Sequence, residues 1–288
     1  MVTATVLLLT SSTVLAQKQL SLLATLSDPA GRQITSVDSA AVTVYEDGKP
    51  LKVSSVETVE RVPKLQVLID NGIGFPSTNL SDLRTAVKGL LTALPGNVEV
   101  TMVTTAPSPR FLEKGTTDRV KLLAAADRIT PDDHAGKFID SLYEAAQRAN
   151  RDPLETAVPT ILTIGTTVGD AHALESDMNK ALEWIRRKEI PVHVVLLSNV
   201  ATNTGGVQID LGQAASRIAG GRMEVINTAI RLISLMPEVG RSLAASLGGG
   251  RWIRVTAERS GERPLGGIGM SVKGLTVDEL ARDNARTK

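Results

Sequence analysis

The chain has 288 residues, the length of two ordinary domains or of one large α/β domain with an appendage. Its 32 basic and 31 acidic residues leave a net charge of +1, no field that would draw it to nucleic acid or an anionic membrane. Hydrophobic residues at 42% suffice for a core, aromatics at 2% are too few for base-stacking platforms, and the lack of cysteine excludes disulfides, zinc ribbons, thiol catalysis and iron–sulfur clusters.

The first residues, MVTATVLLLTSSTVLAQ, carry no charge and hold a short apolar run, Val6 to Leu9. Val14-Leu15-Ala16 before Gln17 has the small-residue character of a cleavage site, although a basic leader is missing. The expectation is a signal peptide over 1–16 and a secreted or periplasmic protein, with a buried N-terminal strand as the alternative. No later stretch approaches the apolar length of a membrane span.

Residues 17–61 read as a small β unit. Leu20–Leu26 is followed by the turn cluster Asp28-Pro29-Ala30-Gly31, and Val42 and Val44 alternate with Thr43 and Tyr45 before Asp47-Gly48, a hairpin signal. From residue 62 the rhythm changes. Leu65–Asp70 is apolar on both faces, as in a parallel strand covered on both sides, and a helix with Leu83, Val87, Leu90, Leu91 and Leu94 follows. Strands are expected at Val98–Thr104, near Arg110–Leu112, at Thr160–Ile164, at Val192–Leu197 and around Val225. Helical faces lie between them, at Leu122/Ala126/Ile129, Leu142/Ala145/Ala149, Leu174/Met178/Ala181/Ile185 and Leu211–Ile218. Ile230–Leu247 is helical and interrupted by Pro237, so it is kinked or split. Trp252–Ala257 and Ile268–Val272 form a closing strand pair, and 276–288 is read as a flexible tail. The alternation predicts an α/β fold over 62–275: a doubly wound, mostly parallel sheet with helices on both faces, Rossmann-like, beside the N-terminal β unit.

Ligands of such sheets sit beyond the carboxyl ends of the strands, where the first strand runs into Asp70-Asn71-Gly72-Ile73-Gly74-Phe75-Pro76-Ser77. Gly72-x-Gly74 between strand and helix fits a dinucleotide fingerprint, which would make the chain a Rossmann-like, NAD(P)-using oxidoreductase. Against it stand Ser77 at the third glycine position, Pro76 within the turn, and Thr104-Thr105 where an acidic ribose clamp belongs.

The same segment also resembles the von Willebrand factor A domains of exported bacterial proteins. The likeness extends to Val42–Val53, to Ala135-Gly136-Lys137-Phe138-Ile139-Asp140-Ser141-Leu142, to Ile218-Ala219-Gly220-Gly221-Arg222 and to Trp252–Val272. It implies a non-enzymatic, adhesion-like protein–protein interaction module with an unknown protein partner and no nucleic acid. Such domains hold Mg²⁺ or Mn²⁺ with an Asp-x-Ser-x-Ser motif, a loop Thr and a second Asp. This chain keeps Asp70, has Gly72 and Gly74 at the hydroxyl positions, Gly136 at the Thr position and Ile164 or Gly165 at the second Asp. The degenerate site implies no cofactor and no metal; one rebuilt from Thr163, Thr166, Thr167 or Asp170 is the remaining alternative. The expected binding face is Asp70, Asn71, Gly72, Gly74, Gly136 and Thr166, with its backbone N–H groups free to receive an acidic partner group.

No Gly-x-Ser-x-Gly elbow, His-Glu-x-x-His or phosphate-binding Gly-x4-Gly-Lys loop occurs. His193 reads as a core residue, His172 as part of a helix start, Asp132-Asp133-His134 as a solvated turn, and Arg186-Arg187-Lys188 as a helix C-terminus.

Overall fold

The computed structural model describes residues 18–153, 156–169, 175–198, 206–247, 251–259 and 266–282. The expected signal peptide, His172, Asp170 and Gly248–Gly250 lie outside them.

The described residues form two sheets. The first is built around β5 (Val62–Ile69), whose Leu65, Val67 and Ile69 face one side while Leu68 faces the other. Its strand neighbours are β6 (Glu99–Thr104) and β8 (Ala157–Thr166), then β9 (Val192–Leu197) and β10 (Met223–Ile226), all parallel. The far edge is β7 (Arg110–Thr116), antiparallel to β6, which completes the order β10-β9-β8-β5-β6-β7. Helices α1 (Leu80–Ala93), α2 (Arg119–Asp127) and α6 (Arg231–Ser246) cover the Leu65 side; α3 (Phe138–Ala149), α4 (Glu175–Arg187) and α5 (Gly206–Ile218) cover the Leu68 side. Each buries an apolar stripe at helical spacing, such as Ile139, Leu142, Ala146 and Ala149 of α3. α2 starts at Asp118, whose carboxylate accepts the N–H groups of Val120 and Lys121 at 3.0 and 3.2 Å. α6 runs through Pro237 as one helix, and the Pro237 ring packs where Gly89 of α1 leaves room.

The second sheet corrects the description of one mostly parallel sheet with a small N-terminal appendage. It has seven strands, is antiparallel throughout and draws on both ends of the chain: β1 (Lys18–Ser27), β2 (Gln33–Ile34), β3 (Val42–Glu46), β4 (Lys49–Glu60), β11 (Arg251–Arg259), β12 (Ile268–Val272) and β13 (Thr276–Arg282). Strand β13 occupies most of what the sequence presents as a flexible tail, because Val277 and Leu280 have an apolar cluster to pack against and β1 offers an edge to pair with. The path β12-β3-β4-β11-β1-β13 curls until its end strands meet in a hairpin at Val272–Leu275, with Gly274 at φ 76°. Leu20, Leu22, Ala24 and Leu26 alternate inward with Val42, Val44, Ile253, Val255 and Ala257. The Asp47-Gly48 turn takes φ 50° and 76°, the two positive values that a tight hairpin requires. The α/β unit is thus inserted between β4 and β11, which pair with each other from Lys52 to Glu60.

Candidate functional site

Because β5 lies between β6 and β8, the chain leaves the sheet in opposite directions on its two sides, and a crevice opens at their carboxyl ends. Asp70 stands there, its N–H extending the ladder to the Ile164 carbonyl at 2.8 Å. Its side chain is buried. Oδ1 accepts the Gly72 N–H at 2.9 Å, while Oδ2 accepts the Thr166 hydroxyl at 2.7 Å and the Thr166 N–H at 3.2 Å. The Thr105 hydroxyl lies close enough to favour the charged carboxylate, yet is buried without a hydrogen bond of good geometry. Burial pushes the Asp70 pKa up, and the contacts from Gly72, Thr166 and Thr105 oppose that push without cancelling it.

Asn71 ties the neighbouring loops together. Its amide donates to the Thr130 carbonyl at 2.9 Å and accepts the Ala106 N–H at 3.1 Å, while its own carbonyl accepts the Asp132 N–H at 2.8 Å. Three glycines let these segments close on one another. A Cβ on Gly72 would collide with the His134 carbonyl oxygen and stand 2.8 Å from the Gly136 nitrogen. On Gly74 it would meet the Thr166 side chain, and on Gly136 the Asp70 carboxylate, with Thr105 Oγ1 at 2.8 Å. The six residues singled out from the sequence therefore do converge, as a knot rather than a surface: Asp70, Asn71, Gly72, Gly74, Gly136 and Thr166 are all buried.

Three of the loop N–H groups are spent inside the fold. Gly72 donates to Asp70, Ile73 to the His134 carbonyl at 3.0 Å and Phe75 to the Gly72 carbonyl at 2.9 Å. A strand-end loop folded inward this way spends on itself several of the donors that a pyrophosphate or an acidic partner would need. What faces solvent is the rim: Ile73, 55% exposed, with Pro76, Ser77, His134 and Lys137. His134 sits on a turn closed by Asp132, which accepts its N–H at 2.9 Å and its ring Nδ1 at 2.8 Å; these bonds hold the Asp132 carboxyl below the usual range. Beside the rim a groove of about 580 Å³ opens between Pro76, Asn79, Leu197, Asn227 and Ile230, the last 67% exposed.

The donor set does not match a divalent-cation site of the kind the fold family uses. Mg²⁺ needs near-octahedral oxygen ligation, and here one carboxylate already carries three hydrogen bonds while the hydroxyl positions are filled by neighbouring atoms. Among the described residues no three His, Asp or Glu side chains converge on a metal position. Thr163 and Thr167 are also buried, on or just after β8.

Sequence reasoning missed two features. Thr105 joins the Asp70 cluster because β6 ends level with β5, which a pair of threonines closing an apolar strand could have signalled. Ile230 rims the groove as the N-cap of α6, and the sequence, which counts it as the first residue of that helix, gave no sign of this.

No protein-family profile matches the chain, and neither does any curated protein. Solved structures do. A von Willebrand factor type A protein from Catenulispora acidiphila aligns with a TM-score of 0.55 over 92% of this chain and 72% of its own, at 10% identity. The conserved hypothetical protein BatB from Bacteroides thetaiotaomicron covers 64% of this chain and 99% of its own, at 15% identity and a TM-score of 0.47. Proximal thread matrix protein 1 from the mussel byssus, solved with a zinc-occupied MIDAS motif, covers 72% and 50%, at 16% identity and a TM-score of 0.48. With a β5-centred sheet wrapped by helices and a strand-end aspartate at its switch point, the chain has a von Willebrand factor A-like fold.

Proposed function

We propose that this protein is an exported, non-enzymatic protein-interaction module whose loop face above Asp70 binds a protein partner without a divalent cation. The observation that carries this reading is the closed knot under the face. Side-chain ligands at 72, 74 and 136 would collide with His134, Thr166 and Asp70, and the Asp70 carboxylate is already satisfied by protein donors. Affinity then has to come from surface burial, and Ile73 and Ile230 are the exposed apolar groups on this end of the sheet that suit an anchor. Export rests on residues 1–16, and the mature chain is expected to begin at Gln17. No described helix is long and apolar enough to cross a membrane.

Thermal unfolding in EDTA, Mg²⁺ and Mn²⁺ tests the metal-free claim, since a cation at one hundred times its Kd would stabilise the native state by about 2.7 kcal/mol. The midpoint is expected not to move; a rise in Mn²⁺ that Asp70→Ala abolishes would show a working cation site. A photo-crosslinking residue at position 73 tests the face. It is expected to capture a protein partner that the same group at Val120, 78% exposed on α2, does not. Capture from position 120 alone would move the interface elsewhere.

A further inference from the structure

At the opposite end of the parallel sheet, where the α/β unit meets the curled sheet, lies a cavity of about 550 Å³. Its walls come from the amino-terminal ends of β8 and β9, the α5–β10 turn, the end of α6, and strands β1, β11 and β13. The volume matches that of small-molecule sites, which favour the seams between folded units, and the walls mix apolar side chains with polar ones.

Unspent hydrogen-bonding groups cluster here. Trp252, 3% exposed, has its indole Nε1 buried without a hydrogen-bond partner. His193 projects from an otherwise apolar strand into the same space, and its ring makes no hydrogen bond among the described residues. Arg222, on the cavity wall, makes no ion pair among the described residues. The other charged groups on the wall are Glu189, exposed, and Asp278, which accepts the Ser27 hydroxyl at 2.9 Å. An imidazole in an otherwise apolar strand and a guanidinium without an ion pair among the described residues leave the cavity wall short of an acceptor.

We propose that this cavity binds a small organic carboxylate with an apolar body, its anionic end held by Arg222 and His193 beside the Trp252 ring. Leu22, Val158, Pro191 and Leu280 line the same space and supply the surface for the body. The electrostatics agree: burial and the charge of Arg222 push the His193 pKa down to about 4. An anion beside Arg222 offsets that charge, so binding raises the His193 pKa.

The test uses the full chain carrying Trp184→Phe, which leaves Trp252 as its only tryptophan. Octanoate, octanol and inorganic phosphate are titrated by calorimetry and by Trp252 emission. Octanoate is expected to bind saturably with a change in emission, at least tenfold more tightly than octanol or phosphate. Arg222→Gln, an exposed position whose folding is checked by thermal melting, is expected to weaken octanoate at least tenfold, and the His193 ring resonances to titrate at higher pH in octanoate. No saturable binding of octanoate, equal binding of octanol or phosphate, or unchanged affinity in Arg222→Gln would each overturn the proposal.

Discussion

Asp70 keeps its carboxylate in a place that disfavours charge, and that has a consequence for stability. Burial raises its folded pKa above the unfolded value of about 3.9. Between those two values the native state holds more protons than the unfolded chain, so stability falls as pH rises through the window. Asp70→Asn removes the titration. Relative to that variant, the wild type is expected to lose stability as pH climbs from below about 4 to neutrality, read as urea midpoints at matched pH. A constant difference between the two proteins would mean that Asp70 titrates as it does in the unfolded chain. The glycines around it make the second prediction. A side chain at 74 forces Thr166 to rotate and give up its 2.7 Å bond to Asp70, so Gly74→Ser is expected to cost about 1–3 kcal/mol. The paired variant Gly72→Ser with Gly74→Ser restores the motif on paper, but at 72 the obstacle is the His134 backbone, which has no rotamer to change. Its unfolding midpoint is expected to stay below that of the wild type with or without Mn²⁺; recovery in Mn²⁺ would show that the loop opens to accept a metal.

Elements with a clean period were legible, and the contacts between elements were not. Helix α1 was visible in the spacing of Leu83, Val87, Leu90 and Leu91, and β9 in an apolar run whose limits match the structure. The Asp47-Gly48 hairpin announced its own turn chemistry. Nothing in the order of residues told that α6 lies against α1 through Gly89 and Gly240, because the two helices are far apart in sequence and small residues carry no pattern. A Cβ on Gly240 would stand 2.8 Å from the Ala93 Cβ and 2.9 Å from the Leu90 carbonyl oxygen. Gly240→Leu therefore sets a helix-propensity gain of about 1 kcal/mol against overpacking of about 1–3 kcal/mol. Net destabilisation in urea is the expected result, and a stabilised variant would mean that α6 slides without cost. The candidate site divides the same way. Asp70 and the glycines could be found from the strand-end motif, but the inward turn of the loop amides depends on the 130–136 segment, which only the folded chain brings over them.

At the scale of the molecule, the first and last described strands belong to one sheet, although the sequence shows them as a β unit and a tail more than two hundred residues apart. Strand β13 pairs with β1 from Leu22↔Arg282 to Ser27↔Thr276 and covers an edge that would otherwise offer its backbone to other chains. The cluster that β1 feeds, from Leu20 to Val272, is separate from the two clusters on the faces of the parallel sheet. Separate cores joined by few strands open as separate units. Deleting residues 276–288 is therefore expected to strip hydrogen-exchange protection from Leu22–Leu26 while Leu65–Ile69 and Ile161–Ile164 keep theirs. The direction of the loss matters more than its size. If protection in β5 and β8 falls together with that in β1, the two units fold as one, and the cavity between them is then as rigid as the cores that wall it. If β1 alone is exposed, the α/β unit stands without the curled sheet, and Trp252 and Leu280 become walls that can move relative to His193 and Arg222.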